Sequence, residues 1–249
     1  MELMQHFSAW EVVLWAICAL LVGMSKAGIK GIGLVIVPVM ATLFGARPST
    51  GIVLPMLITA DIMAVIYYRR SVRWVYIRKL LPWALAGVLG GMVVGDLINE
   101  AQFRLLLAAI IVGMLALLIY NDVRKRKNIP DNHAFAGFMG LTGGFTTMVG
   151  NAAGPVFSIY LLAMRLPKNV FIGKGAWVFF IINLSKVLLQ VLAWETIHVR
   201  SLMVDLLALP LIVAGMIAGI RLVKLFPETV YRYFVIVMTL LGAAIMIFS

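Results

Sequence analysis

Three lysines, Lys26, Lys30 and Lys186, stand inside otherwise apolar stretches of this sequence. Asp61, in Thr59-Ala-Asp61, lies in the middle of another such stretch, and Asp205 lies near the end of a third. A charge at the centre of a membrane span costs on the order of 3 kcal/mol, so such residues usually face a cavity or a partner. Lys26 and Lys30 belong to a run that also holds Ser25, Gly28, Gly31, Gly33 and Pro38. Breaking a helix there exposes backbone N–H groups and the positive end of a half-helix, which together attract an anion. Glycine lets that backbone approach a ligand, and lysine adds a full charge. The alternative is that the glycines serve close helix packing, with Lys26 or Lys30 snorkelling to an interface.

A second run offers Thr146, Thr147, Gly150, Asn151, Gly154 and Pro155. Here hydroxyl, amide and backbone donors would hold an anion in place of charge. Asn151 beside Gly150 is equally suited to capping a half-helix. Lys186 closes the motif Asn183-Leu-Ser-Lys186, and its alternative role is an ion pair with Asp61 that ties the two halves of the chain together. An intramembrane carboxylate is the natural proton carrier, which makes Asp61 the candidate coupling group. Nothing in the sequence points to an enzyme: there is no Walker motif, no HExxH and no G-x-S-x-G. The missing nucleotide-binding loop also argues against a primary pump. With Cys18 as the only cysteine, and His6, His133 and His198 far apart, no metal site or cofactor is expected.

The elements that must position these residues are membrane spans. Of 249 residues, 63% are hydrophobic and 12% charged, against roughly 25% charged in a soluble domain. The region Met1 to Trp10 lacks the basic n-region of a cleaved signal peptide, so the first apolar stretch is expected to stay. Apolar segments run Trp10–Gly45, Pro48–Tyr68, Leu80–Leu97, Phe103–Tyr120, Ala134–Met164, Val170–Trp194, Ser201–Ile220 and Tyr231–Phe248. Six have the length of one crossing. Trp10–Gly45 and Ala134–Met164 are too long for one crossing and short for two, and glycines interrupt each, so both read as hairpins with a broken centre. Trp10, Trp74, Trp83 and Trp194 lie near segment ends, where an aromatic belt would place them.

Charge placement sets the topology. The net charge of +11 does not mark a nucleic-acid binder, because fifteen of the 21 basic residues fall in four short clusters. These are Arg69, Arg70, Arg73, Arg78, Lys79; Arg124, Lys125, Arg126, Lys127; Arg165, Lys168, Lys174; and Arg221, Lys224, Arg232. Clusters alternating with charge-poor loops follow the positive-inside rule. The stretch from Leu81-Pro82 to Arg104 also lies without gaps on Leu209-Pro210 to Arg232, matching Pro82/Pro210, Gly87/Gly215, Gly91/Gly219, Glu100/Glu228 and Arg104/Arg232. This predicts a duplication: a first transmembrane repeat over 1–120, a basic cytoplasmic linker over 121–133 and a second repeat over 134–249. Each half crosses an odd number of times, so the repeats are inverted, all four clusters face the cytoplasm and both termini are periplasmic. The fold class expected is an all-α integral membrane protein of about eight apolar segments, two of them glycine-broken hairpins.

The stretch Gly28-Ile-Lys-Gly-Ile-Gly-Leu-Val-Ile-Val-Pro38 resembles the glycine-rich, proline-ended segment near the start of the sulfite exporter (TauE/SafE) family, and Gly140–Pro155 resembles that family's second copy. The resemblance covers essentially the whole chain. It implies a secondary transporter that moves sulfite or organosulfonates such as sulfoacetate across the bacterial inner membrane, in the export direction. The chain departs from the commoner form by placing Lys30 and Ile32 among the first glycines and Asn151-Ala-Ala153 in the second copy. The expected substrate site comprises Ser25, Lys26, Gly28, Lys30, Gly31, Gly33, Thr147, Gly150, Asn151, Gly154, Asn183 and Lys186. Expected partners are a small anion, the lipid bilayer and protons as the candidate coupling ion, with no nucleic acid. The oligomeric state stays open, as does a transporter or channel of the same fold for another small anion.

Overall fold

Ser8 starts the first helix with a capping box: its hydroxyl accepts the Glu11 N–H, and its own N–H donates to Glu11 Oε2 at 2.8 Å. In the computed structural model, which describes residues 8–69, 74–94, 97, 102, 133–151 and 153–248, the regular structure is entirely helical. The helices are α1 (Ala9–Ala27), α2 (Gly33–Phe44), α3 (Ala46–Tyr68), α4 (Trp74–Val94), α5 (His133–Gly150), α6 (Gly154–Ala163), α7 (Lys168–Leu192), α8 (Val199–Leu225) and α9 (Glu228–Phe248). Five of them, α1, α3, α4, α7 and α8, contain stretches long and apolar enough to cross a membrane. The expected segment Phe103–Tyr120 and the linker up to residue 132 lie outside the described residues.

Both long apolar segments are broken, the first at glycines and the second at an asparagine. After α1 the chain turns through Gly28 (φ 125°) and Gly31 (φ 94°), a left-handed region that side chains resist. It then resumes as α2, only 12 residues long. After α5 the turn falls on Asn151 (φ 53°), a residue type that tolerates this region. The chain then continues as the 10-residue α6, whose Pro155 suits a first helical turn. At a rise of about 1.5 Å per residue, α2 and α6 reach only ~15–18 Å, roughly half the hydrocarbon thickness.

The core is largely apolar, but the outside is apolar too and several charges are buried. Asp61, Lys174 and Lys186 are fully buried, while Leu184, Leu188, Leu192, Leu202 and Leu206 lie on the outside. Charged groups are almost never fully buried unless paired, and an apolar exterior of this extent marks contact with lipid. Trp10 and Trp74 are exposed near helix ends, as an aromatic belt requires, whereas Trp83 is exposed in the middle of α4 and does not belong to such a belt. Lys174 is a correction: its sequence neighbours group it with the loop cluster of Arg165 and Lys168, but α7 begins at Lys168 and carries it nearly two turns into the bundle.

Contacts fix which helix ends lie together. Tyr68 Oη donates to the Ala27 carbonyl, Lys168 Nζ to the Val223 and Phe226 carbonyls, and Arg232 to the Leu162 carbonyl; Lys224 Nζ lies 5.7 Å from the Tyr67 ring centre. Arg69, Arg165, Lys168, Lys224 and Arg232 therefore gather at one end, called here the basic end. The opposite end brings Gly51 of α3 against Thr196.

The two halves pack in matching ways. The main helix pairs are α1 with α8 and α4 with α5. A Cβ on Gly87 would lie 2.1 Å from the Leu141 carbonyl oxygen, and one on Gly215 would lie 2.0 Å from that of Leu20. The matched glycines of the sequence repeat thus let these two pairs approach closely. In the same way Gly23 of α1 meets Ile212 and Met216, while Gly144 of α5 meets Ala84 and Val88. Carried along α1 and α5, this register sets Lys26 against Thr147 and Lys30 against Asn151.

Candidate functional site

The two backbone breaks come together around a cavity. It is lined by Ser25, Lys26, Lys30, Gly31 and Gly33 from the first hairpin and by Thr147, Asn151, Gly154 and Pro155 from the second. Phe179 and Asn183 of α7 and apolar residues of α2 and α3 complete it. Its volume is about 50 Å³. On the same measure about 10–15 Å³ holds one water, so there is room for a few waters or one small oxyanion.

Asp61 is the centre of one half of this site. Its Oδ1 is 2.8 Å from Lys26 Nζ, and its Oδ2 accepts from Asn183 Nδ2 at 2.7 Å. The alternative pairing of Asp61 with Lys186 is thus not the one formed. The reason is topological: α3 lies between α1 and α7, and Lys26, one turn before the break, reaches Asp61 first. Lys186 instead turns to the second hairpin. Its ammonium donates to the Thr147 carbonyl and to Asn151 Oδ1, both at 2.5 Å, with Thr147 Oγ1 at 3.3 Å. Asn151 in turn donates through Nδ2 to the Thr50 carbonyl at 3.3 Å. It therefore ties the break to both α7 and α3.

Lys30 is different. It is 5% exposed and lines the cavity, yet its ammonium makes no hydrogen bond or ion pair among the described residues. Its nearest aromatic neighbour is Phe179, whose ring centre lies 5.4 Å from Lys30 Nζ and 4.2 Å from Lys26 Nζ. A buried ammonium without a counter-charge is costly, and three lysines here face one carboxylate. The cavity therefore has an excess of positive charge together with neutral donors, a combination that suits a small anion.

Of the expected site residues, Ser25, Lys26, Lys30, Gly31, Gly33, Thr147, Asn151, Gly154 and Asn183 line the cavity. Gly28, Gly150, Asp61 and Lys186 stand behind that lining: Gly28 in the turn, Gly150 as the last residue of α5, and the other two as partners of lining residues. Sequence reasoning missed Phe179, which lay among apolar residues of its span with no distinguishing signal. It also missed two tyrosines that hold the first break. Tyr68 Oη donates to the Ala27 carbonyl at 3.0 Å and Tyr231 Oη to the Gly28 carbonyl at 2.7 Å. These are orphan carbonyls of the end of α1, which need such donors when buried. No group of three or more histidine, cysteine, aspartate or glutamate side chains suited to a metal ion occurs among the described residues.

Comparison with known proteins places this arrangement. Residues 15–246 match the family model described as sulfite exporter TauE/SafE. No curated protein and no solved structure matches the chain. The match covers nearly the whole sequence, and the chain belongs to the TauE/SafE family, a family of membrane transporters.

Proposed function

We propose, from that membership and from the cavity, that the chain is a secondary transporter of small sulfur-containing oxyanions, sulfite or organosulfonates such as sulfoacetate, and that it exports them across the bacterial inner membrane. The observation that carries this reading is the buried, unpaired ammonium of Lys30 facing a cavity of oxyanion size. Sulfite carries about one to two negative charges near neutral pH, so a lysine with oriented neutral donors is a fitting partner. The basic end is assigned to the cytoplasm by the positive-inside rule, which places both termini in the periplasm. The matching helix pairs support two inverted repeats with the substrate held between the broken hairpins.

Asp61 is the coupling group in this reading. A proton arriving on Asp61 would weaken its hold on Lys26 and free that ammonium for the anion, so proton and anion occupancy would be linked through one ion pair. A passive channel, or a transporter for another small anion, is the second reading. It differs in that Asp61→Asn would leave flux unchanged.

The test is flux of radiolabelled sulfite, compared with sulfoacetate, sulfate and lactate, in vesicles with and without a proton gradient. Saturable sulfite movement that follows the gradient is expected, with Lys30→Ala reducing it by about tenfold or more, since a charge-assisted contact is worth roughly 1.5–3 kcal/mol. Absence of movement of every sulfur anion by folded protein would remove the substrate assignment.

A further inference from the structure

At the basic end a second, larger cavity of about 550 Å³ opens between the α6–α7 turn and the start of α9. Arg165, Lys168 and Arg232 line it, with Glu228 as the one carboxylate in its wall. Glu228 Oε2 accepts the Lys168 N–H at 2.7 Å, so its charge is turned toward the start of α7. Arg165 stands at the lip on a left-handed backbone (φ 46°) and is exposed. An open, cation-rich cavity of this kind gathers small anions by raising their local concentration.

This cavity and the lysine cavity are about one side chain apart. Leu161 lines the larger cavity, and its Cδ1 lies 3.5 Å from where a Cβ on Gly175 would be; Lys30 Nζ lies 3.6 Å from the same point. Tyr231 also lines the larger cavity, is buried, and reaches with its hydroxyl to the Gly28 carbonyl. That carbonyl accepts the Lys30 N–H too, at 2.9 Å. One oxygen thus joins the wall of the outer cavity to the backbone that sets the position of Lys30.

We propose that the basic-end cavity is a second station for the transported oxyanion, and that Tyr231 is the positioning residue that closes it from the lysine cavity through the Gly28 carbonyl. This rests on the reading of the lysine cavity as the anion site. When Tyr231 releases Gly28, the turn carrying Lys30 gains freedom to meet an anion arriving past Leu161. The wall of the lysine cavity instead continues along α2 and α3, through Ile36, Val37 and Val53. Val53 lies fifteen residues before Tyr68 on α3, so this lining extends about 22 Å away from the basic end. The two stations therefore face opposite ends of the bundle, with the tyrosine between them.

The test uses the full chain in vesicles, with Cys18→Ser removing the only cysteine and Ser25→Cys placing a thiol in the lysine cavity. A membrane-impermeant maleimide is applied from either face. Tyr231→Phe keeps the ring and removes the latch, and is expected to raise labelling from the basic end about three- to tenfold, the equivalent of one hydrogen bond, while labelling from the other end stays level. Unchanged labelling from the basic end in folded protein would overturn the proposal and leave Tyr231 as a helix-end cap only. Where Tyr231→Phe does not fold, Arg165→Gln decides: it is expected to raise the half-saturating sulfite concentration several-fold for anion supplied at the basic end alone. An equal rise from both ends, or one seen only in vesicles of anionic lipid, would overturn the station. The labelling does not depend on flux, so loss of the lysine-site reading through an active Lys30→Ala variant is distinguishable from failure of the latch.

Discussion

The break after α1 and the break after α5 hold matching places in the packing, yet one carries two ammonium groups and the other carries none. On the first hairpin, Lys26 is answered by a carboxylate from α3 and Lys30 is left unanswered. On the second, the positions that match them are Thr147 and Asn151, and the charge comes from Lys186 on α7, held by neutral acceptors. The positive charge of the cavity is thus delivered from opposite elements in the two halves. The difference teaches that the broken backbone is the shared scaffold, while the charge grafted on it is what each half varies. The Lys26–Asp61 contact of the first hairpin is a charge pair that a proton can loosen, and under the proposed mechanism it is where coupling would act.

The largest expected effect comes from removing the carboxylate that distinguishes the halves. Asp61→Ala leaves Lys26 buried without a partner, and breaking a buried pair from one side costs about 3–5 kcal/mol. Replacing both members by apolar residues of similar volume, Lys26→Met with Asp61→Leu, is expected to recover most of that loss. Unfolding of the detergent-solubilised protein measures both. Equal losses in the single and double variants would mean that the pair itself carries none of the effect, and the contrast between the hairpins would lose its energetic basis.

A smaller effect separates backbone from side chain in the second break. Asn151 combines a left-handed backbone with an acceptor for Lys186. Asn151→Gly keeps the backbone unstrained and removes the side chain's two hydrogen bonds, the one from Lys186 being a bond to a charged group worth about 1.5–3 kcal/mol. Asn151→Ala also forces a Cβ into the left-handed region, which adds about 1–2 kcal/mol. The alanine variant should therefore unfold more readily than the glycine variant. The reverse order would show that Asn151 serves only as an acceptor, and that the second break does not need the conformation that Gly28 and Gly31 supply in the first.

The elements of this contrast were unevenly visible in the sequence. Both breaks were legible, because glycine and proline interrupt apolar runs whose lengths fit neither one crossing nor two. The buried lysines and Asp61 were legible as intramembrane charges. Their pairing was not: position along a span gives depth, but which helix stands beside Lys26 is decided by packing, so the sequence offers Lys186 as one alternative partner for Asp61 and gives no sign of Lys26. Lys174 was misplaced because its neighbours Arg165 and Lys168 mark a loop, and the sequence shows no cap that would start α7 at Lys168. Tyr68 and Tyr231 lie at segment ends, where tyrosine is ordinary, so their hold on the carbonyls of Ala27 and Gly28 left no trace in the pattern.

Phe179 offers the finest way to sharpen the comparison. Its ring faces the two lysines of the first hairpin, at 4.2 and 5.4 Å from their ammonium groups, and the second hairpin has no ammonium for a ring to face. Cation–π attraction is worth about 0.5–1 kcal/mol at exposed sites and ~2 kcal/mol when desolvated. Phe179→Leu keeps the apolar wall and removes this attraction, so the lysines should be less well placed for the anion. The half-saturating sulfite concentration is expected to rise about two- to fivefold, with the proton dependence retained because the Lys26–Asp61 contact stays. Phe179→Tyr, which preserves the ring face, should stay near the parent value. A rise of the same size in the tyrosine variant would assign the effect to altered cavity shape. The two hairpins would then differ in charge alone, without a further difference in how that charge is held.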